Sequence, residues 1–460
     1  MALFTVNKIT NESKKIAYFA FLIARMNSTQ PIVIFWFRRD LRLDDNSAFY
    51  KALTSGFKVL PIFIFDTTIL AKLYKSDNRV GFIFNTLEEL NKQLNAYNSA
   101  IQFYHGNVLE VFETILLNYN VSEIYANHDY EPYAADRDLK VKKYLAEKGV
   151  LFKTFKDQVI FEKAEVTRPN GEPYTVFTPY SNKWIEKLKQ NDEYLHLWNS
   201  EFYLYNLLEK KIESNITLEA LGFEPTIHNW SKFNISSLNL ADYSKTRDFP
   251  ALNNTSRVSV HLRFGTVSVR KLVLYALETD PAWLNELIWR EFFMQILWNF
   301  PHVIHQPFKP KYQFLNWVND EQEFQAWTEG RTGYPLVDAG MRELNQTGFM
   351  HNRVRMVTAG FLVKHLLINW QWGESYFADK LMDFELSSNN GNWQWAAGTG
   401  CDAAPYFRIF NPVTQAEKFD PDNSYIKKWV PEFGTSSYPK PIINHDFARN
   451  RTLETYKCCI

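Results

Sequence analysis

Cysteine is scarce in this chain: Cys401, Cys458 and Cys459 are the only three among 460 residues. Such a set builds no disulfide framework and has no zinc-ligand spacing, so a reducing compartment, the cytoplasm, is the expected setting. Net charge is lacking too. The 51 basic residues balance 51 acidic ones, so a nucleic-acid partner must be held by a local basic patch and not by a global field. An apolar run at Ile16–Ala24, between Lys14-Lys15 and Arg25, has nine residues, whereas a membrane span needs about 20. No small-x-small cleavage pattern follows it. Residues 1–30 are therefore expected to be a leader outside the fold, with Met26 as the true start and what precedes it a translation artefact or a disordered arm. Internal repeats and low-complexity tracts are absent.

Aromatic residues are plentiful. Of 14 tryptophans, ten lie from Trp283 to Trp429, which marks the second half as different in kind from the first. In the first half, short β-rich runs alternate with helical ones. PIVIFWF (31–37), VLPIFIF (59–65), IQFYH (101–105), SEIYAN (122–127) and FKTFK (152–156) read as buried strands, and 78–97 and 133–149 as amphipathic helices. The pattern predicts a doubly wound parallel α/β domain over residues 31–160. Neither a G-x-G-x-x-G nor a Walker loop occurs there, so no generic nucleotide site is claimed for it. Residues 161–225 read as a long interdomain linker, with an ordered loop at 167–180 followed by the basic helix NKWIEKLKQ. From 226 to 460 helical patterns take over. Asp280-Pro281, for example, opens a long helix as N-cap and N1 proline.

The stretch from Asp383 to Pro412, DFELSSNNGNWQWAAGTGCDAAPYFRIFNP, is the most informative part of the chain. It combines acids, paired amides, glycines, two tryptophans and an arginine, a mixture that stability alone would not favour. Asn389 and Asn390 bring donors and acceptors. Gly391 permits close backbone approach, and Trp393 and Trp395 supply π surfaces. A polar, planar, redox-active ligand needs all three. On a helix the two tryptophans sit about 200° apart, so they face different surroundings. Upstream, Glu286, Trp289, Arg290 and Phe293 share one helix face at i, i+3, i+4 and i+7. Spacing alone would make them a surface ion pair beside a half-buried tryptophan. The pentad Thr255, Ser256, Arg257, Val258 and Ser259 offers hydroxyls, N–H groups and an arginine suited to a pyrophosphate, though such clusters are usually helix caps.

Together these segments resemble the DNA photolyase/cryptochrome family, most closely its class I enzymes for cyclobutane pyrimidine dimers, from about Ile32 to Leu453. The resemblance implies an N-terminal α/β antenna domain and a C-terminal helical domain that binds FAD. Reduced and excited, that flavin would repair pyrimidine dimers in DNA, with the damaged bases flipped out of the duplex. By the family pattern Tyr243, Thr255–Ser259, Trp283, Arg355, Asp383, Phe384, Glu385 and Asn389 bind the cofactor. Asn389 faces the flavin N5, Arg355 pairs with Asp383, and Glu385 stands where the family has a second aspartate, one methylene shorter.

Glu286 matches the glutamate that hydrogen-bonds the dimer. Trp393, Trp370 (in LINWQWG) and Trp317 (in FLNWVND) match an electron relay. Arg247, Trp289, Arg290, Asn352, Arg353, Met356, Trp395 and Gln415 match positions that meet the lesion or the DNA. Relatives that repair (6-4) lesions use two histidines near His351, but Asn352 and Met356 point to cyclobutane dimers. Glu131 in DYEPYAADRD aligns with a folate-binding antenna glutamate; the antenna itself could be of folate or deazaflavin type. No metal, no membrane and a monomer are expected. A cryptochrome photoreceptor is the alternative; Asn389, the Glu286/Trp289/Met356/Trp395 set and the short stretch after Phe410-Asn411-Pro412 speak against it. A non-enzymatic DNA-binding module would explain neither the tryptophan series nor the flavin motif.

Overall fold

A computed structural model describes residues 30–213, 215–225, 233–238, 240–457 and 459. The leader expectation therefore lies outside the described residues, apart from Gln30. Five strands follow the expected runs: β1 Ile32–Phe37, β2 Lys58–Asp66, β3 Gln102–Gly106, β4 Val121–Asn127 and β5 Leu151–Phe155. They form one sheet, every pair parallel, in the order β3-β2-β1-β4-β5. All six residues of β1 are buried, as a strand covered on both faces must be. The helices α1 Ser47–Leu53, α2 Asn78–Leu94 and α3 Val108–Asn118 are each opened by a polar cap, with Asn46, Asp77 and Asn107 accepting from Phe49, Arg79 and Leu109 N–H. Where the strand order reverses, Asn127 Nδ2 donates to Asp40 Oδ2 (2.6 Å) and Asn46 Oδ1 (2.8 Å). Arg42 pairs with Asp157 at 2.6 Å beside them, so the buried polar groups at this edge are tied together. Burial still pushes the Asp40 carboxyl above its ordinary range.

The chain forms two compact units. One holds the described residues of Met1–His128, Ala135–Asp157 and Trp198–Thr226; the other holds those of Asp129–Ala134, Gln158–Leu197 and Ile227–Ile460. The stretch 161–225, expected as one linker, is thus shared between them. The physical reason lies in Glu291, whose buried carboxylate accepts from Ile160 N–H (2.5 Å), Phe161 N–H (3.2 Å) and Trp184 Nε1 (2.6 Å). A charge in the interior has to be matched, and it fastens the segment after Asp157 to the helical unit.

Among the described residues no strand follows β5, and no helix is long and apolar enough to cross a membrane. The helices that matter for the site are α4 Phe177–Leu188, α5 Pro281–Asn299, α6 Glu321–Thr328, α7 Pro335–Thr347, α8 Asn352–Gly360, α9 Trp370–Lys380, α10 Leu386–Ala397 and α11 Pro412–Phe419. Asp280 caps α5 as expected, accepting from Ala282 and Trp283 N–H. Two glycines let α10 sit close to its neighbours. A Cβ on Gly391 would come within 2.1 Å of Phe293 on α5, and one on Gly373 of α9 within 2.1 Å of the Trp393 ring.

Candidate active site

The helices α8 and α10, with the turn 381–385, line a partly open cavity of about 110 Å³. Its walls include Asn352, Arg355 and Met356 from α8, Asp383, Phe384 and Glu385 from the turn, and Asn389, Trp393 and Trp395 from α10. All nine were singled out from the sequence, although they are spread over 44 positions of chain from Asn352 to Trp395. Arg355 Nη2 holds Asp383 Oδ2 at 2.9 Å, and its Nε donates to the Met350 carbonyl at 2.7 Å. The arginine is thereby locked at two ends. Glu385 serves as N-cap of α10: its Oε2 accepts from Ser388 N–H (3.1 Å) and Oγ (3.0 Å) and from the Ser387 hydroxyl.

Asn389 is oriented by a partner that sequence reasoning missed. Its Nδ2 donates to the Glu374 carbonyl (3.0 Å) and to Glu374 Oε1 (3.2 Å). Both amide protons are therefore committed to α9, and Oδ1 is left as the group that accepts. Burial pushes the Glu374 carboxyl up to about 7, against the pull of the Asn389 hydrogen bond. No local signal marks Glu374, a single acid in the GESY of a helix. Arg263 was missed in the same way. It pairs with Glu131 at 2.6 Å and lies 5.9 Å from the Phe384 ring, so the Glu131 carboxylate has a partner inside this unit.

A second group gathers around the start of α5. Arg247 pairs with Glu286 at 2.7 Å and sits 5.6 Å from the Tyr243 ring. Burial raises the Glu286 carboxyl above the ordinary glutamate range while Arg247 opposes it. Trp283 Nε1 donates to Ser256 Oγ at 3.3 Å, tying the pentad to α5. In that pentad Arg257 adopts a left-handed φ of 47° and lies over Phe349 at 4.6 Å, and Val258 is buried between Thr255 and Ser259.

Other expected residues serve anchoring contacts. Arg290 donates to the Gln158 carbonyl at 2.6 Å. Arg353 pairs with Asp248 at 2.8 Å and caps the Phe419 ring at 4.3 Å. Gln415 on α11 has a buried Oε1 with no partner. His351 caps α8, accepting from Arg353 N–H through Nδ1, and burial holds it down at about 4, hence neutral.

The three tryptophans expected to form a relay share one hydrophobic cluster, with Trp393 and Trp370 buried and Trp317 packed at its side. Their ring contacts are not with one another. Trp393 meets Phe377 at 5.0 Å and Trp327 at 6.1 Å, and Trp317 meets Tyr456 at 6.4 Å.

Comparison with known proteins decides the lineage. The family model for DNA photolyase matches residues 33–196, and that for the FAD binding domain of DNA photolyase matches 283–437. The deoxyribodipyrimidine photo-lyase of Vibrio cholerae is 36% identical over 467 residues, covering 92% of this chain and 98% of its own. The chain belongs to the DNA photolyase family. Among solved structures, a bacterial class III photolyase from Agrobacterium tumefaciens has a TM-score of 0.83 at 31% identity, covering 94% of this chain and 98% of that one. A Synechocystis cryptochrome has 0.81 at 25%, covering 92% and 99%. The cofactor of this photolyase-family chain is FAD. The walls of the cavity lie entirely inside the matched FAD-binding region, whereas Tyr243, Arg247 and the 255–259 pentad precede it.

The cavity suits the coenzyme on this structure's own terms. It joins a fixed carbonyl acceptor at Asn389, an ion pair at Arg355–Asp383 and the flat faces of Phe384 and Trp393.

Proposed function

We propose that this chain is a deoxyribodipyrimidine photo-lyase that uses blue or near-UV light to split cyclobutane pyrimidine dimers in DNA. The observation that carries the reading is the cavity between α8 and α10, with the Asn389 amide turned by Glu374 so that an oxygen faces it. Bound and reduced, FAD supplies a light-driven electron that is lent to the dimer and returned. The protein's own residues do the rest. Asn389 Oδ1 accepts a ring N–H without itself ionising, which keeps the reduced coenzyme in place. Arg355 and Asp383 would hold the coenzyme's polar ring system, and Tyr243, Trp283 and the 255–259 pentad would hold its phosphates.

Glu286, whose carboxyl burial raises above the ordinary range against the pull of Arg247, hydrogen-bonds the dimer. Trp289, Met356 and Trp395 form apolar walls around the lesion. Arg247, Asn352, Arg353 and Gln415 meet the DNA backbone; Arg290 supports this surface through Gln158. Trp393, Trp370 and Trp317 would carry an electron from an external reductant toward the bound coenzyme. Asn352 and Met356 favour cyclobutane over (6-4) lesions. The active unit is a cytoplasmic monomer.

The test is illumination of reduced protein with an oligonucleotide carrying one dimer. Wild type reverses the dimer in light and not in darkness, and Glu286→Ala does so up to about tenfold less well, the scale of a lost hydrogen bond. Dimer binding without reversal would favour the cryptochrome alternative.

A further inference from the structure

Trp289 is not a free indole. It lies flat on Phe177, with ring centroids 3.6 Å apart and planes 4° from parallel. Phe293 leans on it at 5.4 Å and 29°, and Phe292 meets it edge-on at 5.5 Å. Phe177 also sets its edge against Phe292 at 5.8 Å, so the phenyl is wedged from two directions.

Its backbone is fixed as well. Val176, at the cap position of α4, has no side-chain oxygen to offer, and the Phe177 N–H donates instead to Asp402 Oδ2 at 3.0 Å. A carboxylate 225 residues downstream thus caps this helix. Asp402 does so from a left-handed φ of 44°, a conformation that a non-glycine residue keeps only when its surroundings hold it there. It lies in the loop that follows α10, the helix bearing Asn389 and Trp393.

We propose that Phe177 is the positioning residue that sets the plane of Trp289 in the lesion pocket, with Asp402 holding Phe177 in place. The proposal rests on the reading of Trp289 as a lesion wall. One face of the indole is committed to Phe177, so a dimer meets a plate whose orientation is settled before binding. Pre-ordering removes the rotamer entropy that a loose tryptophan would lose on contact. Undamaged DNA, which places no base against the plate, gains nothing. Phe177 thereby contributes to discrimination between damaged and undamaged DNA without touching either.

The experiment measures dark binding of FAD-loaded protein to matched oligonucleotides with and without one dimer. The variants are Phe177→Ala, Phe177→Leu, Phe177→Tyr, Trp289→Ala and the Phe177→Ala/Trp289→Ala double variant. An aromatic pair of this geometry corresponds to about threefold to tenfold in affinity. Phe177→Ala and Phe177→Leu should weaken dimer binding by that factor and leave undamaged DNA unchanged, while Phe177→Tyr stays near wild type. In the Trp289→Ala background, Phe177→Ala should have no further effect. An equal loss in both backgrounds, or an equal loss on undamaged DNA, would overturn the proposal. If Trp289→Ala alone left dimer affinity intact, the lesion-wall reading would fall first, and the same data would show it.

Discussion

At the scale of single residues, the site works by committing polar groups in advance. Asn389 could present either end of its amide, and Glu374 takes both protons. That choice was not legible in the sequence: Asn389 stands in a recognisable motif, but Glu374 is one acid in an ordinary helix and reaches Asn389 only when α9 packs on α10. Its titration gives a prediction with a definite sign. The folded pKa of about 7 lies above the ordinary 4.5, so the folded chain retains a proton that the unfolded chain releases. The contribution of Glu374 to stability is complete below about pH 4.5 and is lost as pH rises through 7. Glu374→Gln keeps an acceptor for Asn389 and removes the titration. Denaturation midpoints from pH 5 to 8 should therefore fall less for the variant than for wild type, and parallel curves would refute the assignment. His351 works in the opposite direction. Its pKa of about 4 lies below the ordinary 6.5, so its share of stability is present above pH 6.5 and lost as the medium is acidified toward 4.

Elements were easier to read than their joints. The five strands begin and end within one residue of the expected runs, because parallel strands show as continuous β-branched and aromatic stretches. However, β5, at the sheet edge, has no fully buried residue, contrary to the reading of 152–156 as buried. The long helix at Pro281 follows from its cap. By contrast, α4 starts inside what read as an ordered loop, since its capping carboxylate, Asp402, is remote in sequence. The division of 161–225 between two units was equally hidden, because it depends on one buried glutamate of α5. Gly391 was expected to admit a close neighbour; the neighbour is the Phe293 ring. Gly391→Ala should cost about 1–3 kcal/mol in chemical denaturation through overpacking of α5 against α10. A neutral result would mean that the two helices separate more readily than their packing implies. Removing the α10 cap with Glu385→Ala should cost about 0.5–2 kcal/mol by the same measurement and should also weaken FAD retention, since the cap sits in the cavity wall.

For the whole molecule, equal numbers of acids and bases leave DNA binding to particular side chains. Arg247 and Arg353 both stand paired with acids in this structure, at 2.7 and 2.8 Å, so on the proposed reading they would have to exchange partners to meet DNA. Affinity should fall steeply with salt, by a log–log slope of about 0.9 per phosphate contacted. Arg353→Gln should weaken damaged and undamaged DNA alike and lower that slope by about one. A loss confined to damaged DNA would move Arg353 from the backbone to the lesion. The family was legible because its chemistry demands uncommon residues in fixed order. The expected relay rests on the motif match of three tryptophans alone: ring contacts join Trp393 to Trp327 and Phe377, neighbours that no motif names.

The central claim is that an electron is lent to the dimer from the cavity between α8 and α10 and then comes back. A single flash given to reduced, FAD-loaded protein bound to a one-dimer oligonucleotide tests it directly, with thymine absorbance and the redox state of the coenzyme followed together. Thymine absorbance should return, and the coenzyme should end the cycle as reduced as it began. Unrepaired thymines, or repair that leaves the coenzyme oxidised after each flash, would contradict the account.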